Sequence, residues 1–362
     1  MNKQEKIKNF DPSQPGLAEE SIFGLPFTAE ESEIIIIPVP WEVTVSYGSG
    51  ASNGPEAILE ASFQVDLHHQ EFPDLWKLGI YLDLNEKTAI WGNNSDKFKG
   101  LAQPIIAALE SGEVIERHPA LQSDLDKINK VCKELKDEIK ERVLYWTKKG
   151  KKVALLGGDH STPLGYYEAL ATQHDSFGIL HLDAHMDLRM AYEGFTYSHA
   201  SIMYNALQLP QITKIVQIGI RDFCKQEVET VKEQGGRVLV HTDTDMKAET
   251  FKGVTWAQQC DEIIASLPQK VTISFDVDGM YSWYCPNTGT PVPGGFSYEQ
   301  ATYLLSKLAD SGKEIIGFDL VEVAPGDTDW DGNVGARMLY HMCGVFAKNN
   351  GMDVGEKIAF LK

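Results

Sequence analysis

Short, apolar, β-branched runs recur along this chain, separated by longer segments of helical period. The runs are Glu33–Val39, Leu78–Leu82, Val153–Leu156, Phe177–Leu182, Lys214–Ile218, Arg237–His241, Val271–Phe275 and Glu314–Phe318. Most are apolar at successive rather than alternate positions, which predicts strands covered on both faces, as in a mainly parallel sheet of βα units. Between the second and third runs, Ile128, Val131, Cys132, Leu135, Ile139, Val143 and Trp146 recur at steps of three and four. That spacing predicts one helix with a single apolar stripe, ending near Gly150. The whole pattern implies an α/β fold in which helices flank a central sheet.

Two stretches carry little pattern. Residues 1–32 read as an amino-terminal extension, and about 85–123 as an insertion within a single domain spanning 33–362. Inside the insertion, Leu101–Leu109 predicts a short helix. The extension is expected either to lie against a neighbouring subunit or to move freely.

Composition narrows the function classes. The chain has 362 residues, 43% of them hydrophobic, enough for a substantial core. Its five cysteines are scattered with no CxxC pairing, so neither a disulfide framework nor a zinc knuckle is expected. The start, MNKQEKIKNFDPSQPG, lacks the apolar core of a signal peptide, and no stretch approaches the roughly 18 apolar residues of a membrane span. These features predict an unexported, cytoplasmic protein. A formal charge of −19 repels phosphate backbones and anionic lipid, which disfavours nucleic-acid and membrane partners and leaves small cations as the natural ligands.

In open α/β sheets, ligands gather beyond the carboxyl ends of the strands. Here VALLGG runs into Asp159-His160-Ser161, FGILHL into Asp183-Ala184-His185-Met186-Asp187, VTISF into Asp276-Val277-Asp278, and EIIGFDLV into Glu322. Side chains two apart in an extended segment point the same way, so Asp183, His185 and Asp187 converge, as do Asp276 and Asp278. Taken singly, each acid reads as a turn residue or helix cap. Taken together, the acids and imidazoles read as a cradle for two divalent cations. Imidazole with carboxylate oxygen and no thiolate suits Mn2+ first among the first-row metals, with Ni2+ the other candidate. Two such ions would balance the four aspartates Asp183, Asp187, Asp276 and Asp278.

With these residues in view, the chain resembles the ureohydrolase superfamily of arginases, agmatinases, guanidinobutyrases, formiminoglutamases and guanidine hydrolases. GGDHS at 157–161, DAHMD at 183–187, SFDVDG at 274–279 and PNTGTPVPGG at 286–295 carry the resemblance, which covers about 33–345. It implies a three-layer arginase-like fold and cleavage of a guanidino C–N bond, with release of urea, by a metal-bridging hydroxide. One metal would be held by His160, Asp183, Asp187 and Asp276, and the other by Asp183, His185, Asp276 and Asp278. The resemblance further makes Asp187 the group that orients the hydroxide, Glu322 the partner of the guanidinium, His199 a proton carrier and Thr290 a pocket hydroxyl. It also implies a homo-oligomer, a trimer or a hexamer.

Substrate choice departs from the arginase pattern. Arginases read the amino-acid head group with an Asn shortly after DAHxD and an Asp after GxRD, where this chain has Arg189 and Cys224. Arginine is therefore disfavoured, and Arg189 is expected to pair with Glu193. The segment PVPWEVTVSYGSG at 38–50 is similar to agmatinase and guanidine hydrolase sequences, with Trp41 and Thr44 as candidates to narrow the pocket and Trp283 to close over it. The expected substrate is an agmatine-like amine or guanidine itself. Formiminoglutamase, guanidino-acid hydrolase and arginase activities are the alternatives, followed by an acetylpolyamine-type deacetylase and a silent metal-binding scaffold.

Overall fold

The computed structural model describes residues 1–14 and 21–360. Every run picked out above contributes a strand: β1 Ile34–Val39, β2 Ile80–Leu82, β3 Lys152–Gly157, β4 Phe177–Leu182, β5 Ile212–Ile220, β6 Val238–Thr242, β7 Lys270–Asp276 and β8 Glu314–Val321. They form one parallel sheet in the order β2-β1-β3-β8-β7-β4-β5-β6. The second strand is shorter than its apolar run because Gly79 turns through a left-handed φ of 73° and leaves Leu78 in the preceding 3-10 turn.

The helices are α1 Lys3–Asn9, α2 Gly54–Ser62, α3 Glu86–Glu110, α4 Pro119–Lys148, α5 Leu164–Ala171 and α6 Ile202–Ala206, followed by α7 Lys225–Glu233, α8 Asp243–Phe251, α9 Trp256–Ser266, α10 Tyr298–Ala309 and α11 Trp330–Asn349. They cover both faces of the sheet. In β1, Ile34 and Ile36 join one apolar cluster while Ile35, Ile37 and Val39 join another, so successive side chains feed two cores. This is the three-layer α/β arrangement that the unbroken apolar runs imply.

Two regions differ from the sequence reading. The insertion holds a 25-residue helix, α3, rather than a short one. Its amino end is closed by a capping box between Asn85 and Thr88, and its buried face includes Thr88 and Ser95, polar residues that hide the helical period. The described part of the extension packs against its own chain: Lys3 Nζ donates to Leu78 O at 2.8 Å, and Lys6 Nζ to Pro26 O at 2.7 Å. Residues 15–20 of that extension lie outside the described residues.

The centre of the sheet leaves no room for added volume at Gly317. A Cβ there would collide with the Tyr166 hydroxyl, which donates to Val153 O at 2.8 Å and accepts from Phe318 N at 3.1 Å. Gly317→Ala is therefore expected to destabilise the fold by about 1–3 kcal/mol. A urea titration checks this, and an unchanged midpoint would contradict it.

Candidate active site

Four adjacent strands in the middle of the sheet, β3, β8, β7 and β4, end at the same rim. Beyond β3 comes His160, beyond β4 come Asp183, His185 and Asp187, at the end of β7 lie Asp276 and Asp278, and beyond β8 comes Glu322. This is the crevice at which an open α/β sheet gathers ligands.

The side chains meet there. His160 Nδ1 lies 3.0 Å from Asp183 Oδ2, 3.2 Å from Asp187 Oδ2 and 3.2 Å from Asp276 Oδ2. His185 Nδ1 lies 3.0 Å from Asp278 Oδ2 and 3.4 Å from Asp183 Oδ1. Asp183 is common to both groups, and apart from a partly exposed His185 all these residues are buried. Donor atoms of His160, His181, Asp183 and Asp187, and those of Asp183, His185 and Asp278, form two neighbouring sets, each close enough to share one metal ion, while Asp276 reaches the first set through His160.

The surrounding hydrogen bonds fix which atoms face the middle. Tyr167 Oη and Ser274 Oγ each donate to Asp319, both at 2.9 Å. With its proton directed to Asp319, Ser274 Oγ accepts from His160 Nε2 at 2.9 Å. That leaves His160 Nδ1 turned toward three carboxylates, and Nδ1 is a buried atom with no well-formed hydrogen bond among the described residues. A ring nitrogen arranged in this way fits a metal ligand with its supporting partners in place. His181 has a different part. Gln217 Nε2 donates to its Nδ1 at 2.9 Å, so its Nε2–H donates to Asp183 Oδ2 at 2.8 Å and steadies that carboxylate. Backbone amides hold the others: His185 N on Asp183 Oδ1, Ala184 N on Asp278 Oδ1 and Asp278 N on Asp276 Oδ1.

Electrostatics point the same way. Burial and the neighbouring Asp278 and Asp183 push Asp276 well above the usual carboxylate range. Burial and Asp183 raise Asp187 as well. Burial opposes a charged His185 ring, yet Asp278 and Asp183 outweigh it and push this imidazole up to about 12. Too much negative charge has been taken out of water, and the cluster draws in positive charge. Two imidazoles and four carboxylates, with no thiolate, fit divalent first-row ions.

Two of these residues hold backbone that side chains rarely adopt: Asp187 at φ 53° and Glu322 at φ 64°. Such positions cost roughly 1–3 kcal/mol each and persist where the surroundings enforce them. Met203 N and Tyr204 N both bind Asp187 O, and Glu322 N binds Gly158 O. Glu322 is buried, with Oε1 accepting from His160 N at 2.8 Å. Burial, then Asp276 and Asp159, push its carboxyl well above the usual range.

A cavity of about 140 Å³ opens onto the cluster. Its walls include His160, His185, Asp187, Asp276, Glu322, His199 and Thr290, so the structure brings these predicted residues together. Burial, with His185, His160 and Arg189 nearby, pushes His199 down to about 4, and its Nδ1 lies 3.4 Å from Thr44 Oγ1. Trp41 is in the core rather than on the wall. Trp283 is 61% exposed, stacked on Tyr281 at 4.3 Å, and does not line the cavity. Arg189 does line it, but its partner is Glu227, at 3.7 Å, rather than the expected Glu193. The backbone turns through left-handed conformations at Ala191 and Glu193, while Glu227 is held close by Leu188 N and Cys224 N. Ser46, Tyr192, Asp222 and Glu227 also line the cavity without having been singled out from the sequence. Asp222 had a signal, since it follows the apolar end of β5 as the other acids follow theirs.

Mn2+ or Ni2+ is expected to raise the melting temperature and to release protons on binding. The carboxylates hold protons on His160 and His185 above the ordinary imidazole range. A cation must displace them, so its affinity should climb with pH, about tenfold per pH unit for each proton displaced. Calorimetric titrations between about pH 6 and pH 8 check the sign. Binding that does not strengthen with pH would contradict it.

Comparison with known proteins agrees with this geometry. The Arginase family model matches residues 32–344. The N(1)-aminopropylagmatine ureohydrolase of Thermus thermophilus is 29% identical over 316 residues, covering 87% of this chain and 91% of that protein. The agmatinase of Bacillus anthracis is 27% identical over 297 residues, covering 82% and 85%. In fold, the chain is similar to the agmatine ureohydrolase of Thermoplasma volcanium, with a TM-score of 0.69 at 22% identity over 96% of this chain and 99% of that one. By a match that runs from β1 into α11, this chain belongs to the arginase family.

Proposed function

We propose that this chain hydrolyses the guanidino C–N bond of a small guanidino compound, an agmatine-like amine or guanidine itself, and releases urea. The observation that carries the reading is the orphaned His160 Nδ1 facing three carboxylates, with Glu322 anchored beside it on the wall of the same cavity. Relatives named agmatinase and aminopropylagmatine ureohydrolase support the substrate class.

His160, Asp183, Asp187 and Asp276 would hold one divalent ion, and Asp183, His185, Asp276 and Asp278 the other, Mn2+ ahead of Ni2+. Bound there, the ions supply a water acidified enough to act as a nucleophile near neutral pH. The protein supplies the rest. Glu322, with one oxygen tied to His160 N, presents the other to the guanidinium nitrogens and orients the planar carbon. Asp187, whose affinity for a proton is raised by burial and by Asp183, holds the proton of the attacking water and passes it to the departing nitrogen. His199, kept neutral by burial and the cations around it, stands on the cavity wall as a proton acceptor, Thr290 shapes that wall, and Thr44 backs His199 from behind it. The Arg189–Glu227 pair occupies space on that wall, and a cavity of about 140 Å³ favours a small substrate. Function as a cytoplasmic trimer or hexamer belongs to the same proposal.

Urea release should be measured on guanidine, agmatine, N(1)-aminopropylagmatine, guanidinobutyrate, guanidinopropionate and arginine, after separate Mn2+ and Ni2+ loading. Activity on a small guanidino compound supports the reading. Acetate release from acetylpolyamines, or no turnover across the panel with metal bound, overturns it. Glu322→Gln is expected to lower kcat/KM by about a hundredfold or more while metal content stays constant, because Glu322 orients the substrate and holds no ion. Loss of metal in that variant would refute the assignment.

A further inference from the structure

Helix α3 carries polar residues along the side that meets the sheet layer, and three of them, Ser95, Lys99 and Gln103, repeat every fourth position on one face. All three bond to a single loop, the chain leaving β1 between Trp41 and Gly50. Ser95 Oγ accepts from Glu42 N at 2.8 Å and donates to Glu42 O at 3.3 Å. Gln103 Nε2 donates to Val45 O at 3.3 Å. Lys99 Nζ donates to Glu42 Oε1 at 3.0 Å and to Ser49 Oγ at 3.1 Å.

Glu42 is the hub. Its side chain is fully buried, yet its carboxylate collects Ser49 Oγ at 2.6 Å, Gly50 N at 2.7 Å and Ser52 N at 3.0 Å beside the lysine. The loop is thereby folded around one anion. A buried carboxylate needs a compensating charge, and Lys99 is its cationic partner among the described residues. The same loop carries Thr44 to His199 and Ser46 to the cavity wall. Gly48 N donates to Gly289 O at 2.9 Å, tying it to the segment that bears Thr290.

We infer that Lys99 is a positioning residue for substrate binding: by neutralising Glu42 it fixes the Trp41–Gly50 loop, and with it one wall of the cavity, without touching substrate or metal ligands. The inference rests on the reading above that this cavity takes the substrate. Helix α3 is then a clamp on the site rather than a peripheral insertion.

The test combines hydrogen exchange with kinetics on the metal-loaded full chain, using K99M and the double variant K99M/E42Q. In K99M the Glu42 anion is left buried without its cation, so the amides of Gly50 and Ser52 should exchange about tenfold faster while the sheet keeps its protection. KM should rise about fivefold or more, with kcat and metal content close to the starting protein. The double variant removes both charges and should recover part of the protection and of KM, which simple loss of helix packing would not allow. Should K99M fail to fold, E42Q alone carries the test, because a neutral acceptor holds Gly50 N and Ser52 N less tightly and their exchange should quicken. Unchanged exchange at these amides, or protection lost evenly across α3 and the sheet, overturns the inference. Exchange needs no turnover, so a chain inactive on every guanidino compound would defeat the proposed function while leaving the role of Lys99 decided by the amides.

Discussion

Asp183, Asp187, Asp276 and Asp278 lie beneath the surface within hydrogen-bonding distance of two imidazoles, and like charges so close and so dry repel one another unless cations separate them. The rest of the site is organised around that constraint. Asp183, Asp276 and Asp278 are steadied by donors from the protein, and the Tyr167–Asp319–Ser274 chain commits His160 Nε2 outward so that Nδ1 faces inward. The same excess of buried negative charge favours cations in the cavity above it.

The sheet makes this concentration of charge affordable. Four parallel strands at its centre end on one rim, and their apolar bodies are packed on both faces by two large clusters. A rigid frame can impose left-handed backbone on Asp187 and Glu322, where a freely solvated loop would relax. Amide donors at the strand ends then compensate carboxylates that water no longer reaches.

The wall of the cavity is held by a second, separate charge balance. The buried Glu42 and the partly exposed Lys99 form a pair that gathers the loop after β1, and this loop is bonded in turn to the segment bearing Thr290. The carboxylate cluster and the cavity wall thus have different supports, one from the strand ends and one from α3.

Much of this was legible in the chain. Strands buried on both faces declare themselves as unbroken apolar runs, and α4 does so by its stripe from Ile128 to Trp146. His160, Asp183, His185, Asp187, Asp276, Asp278 and Glu322 could be picked out because parallel topology sends every strand end to one rim, so local sequence and position in the fold carry the same information. Helix α3 escaped because Thr88 and Ser95 stand on its buried face. The support given by His181, the Arg189–Glu227 pair, the core placement of Trp41 and the outward face of Trp283 depend on contacts between segments far apart in the chain or on local turns. Hydrophobic periodicity and strand-end chemistry are properties of neighbours in sequence, whereas partners across space are chosen by packing, which only the tertiary structure decides.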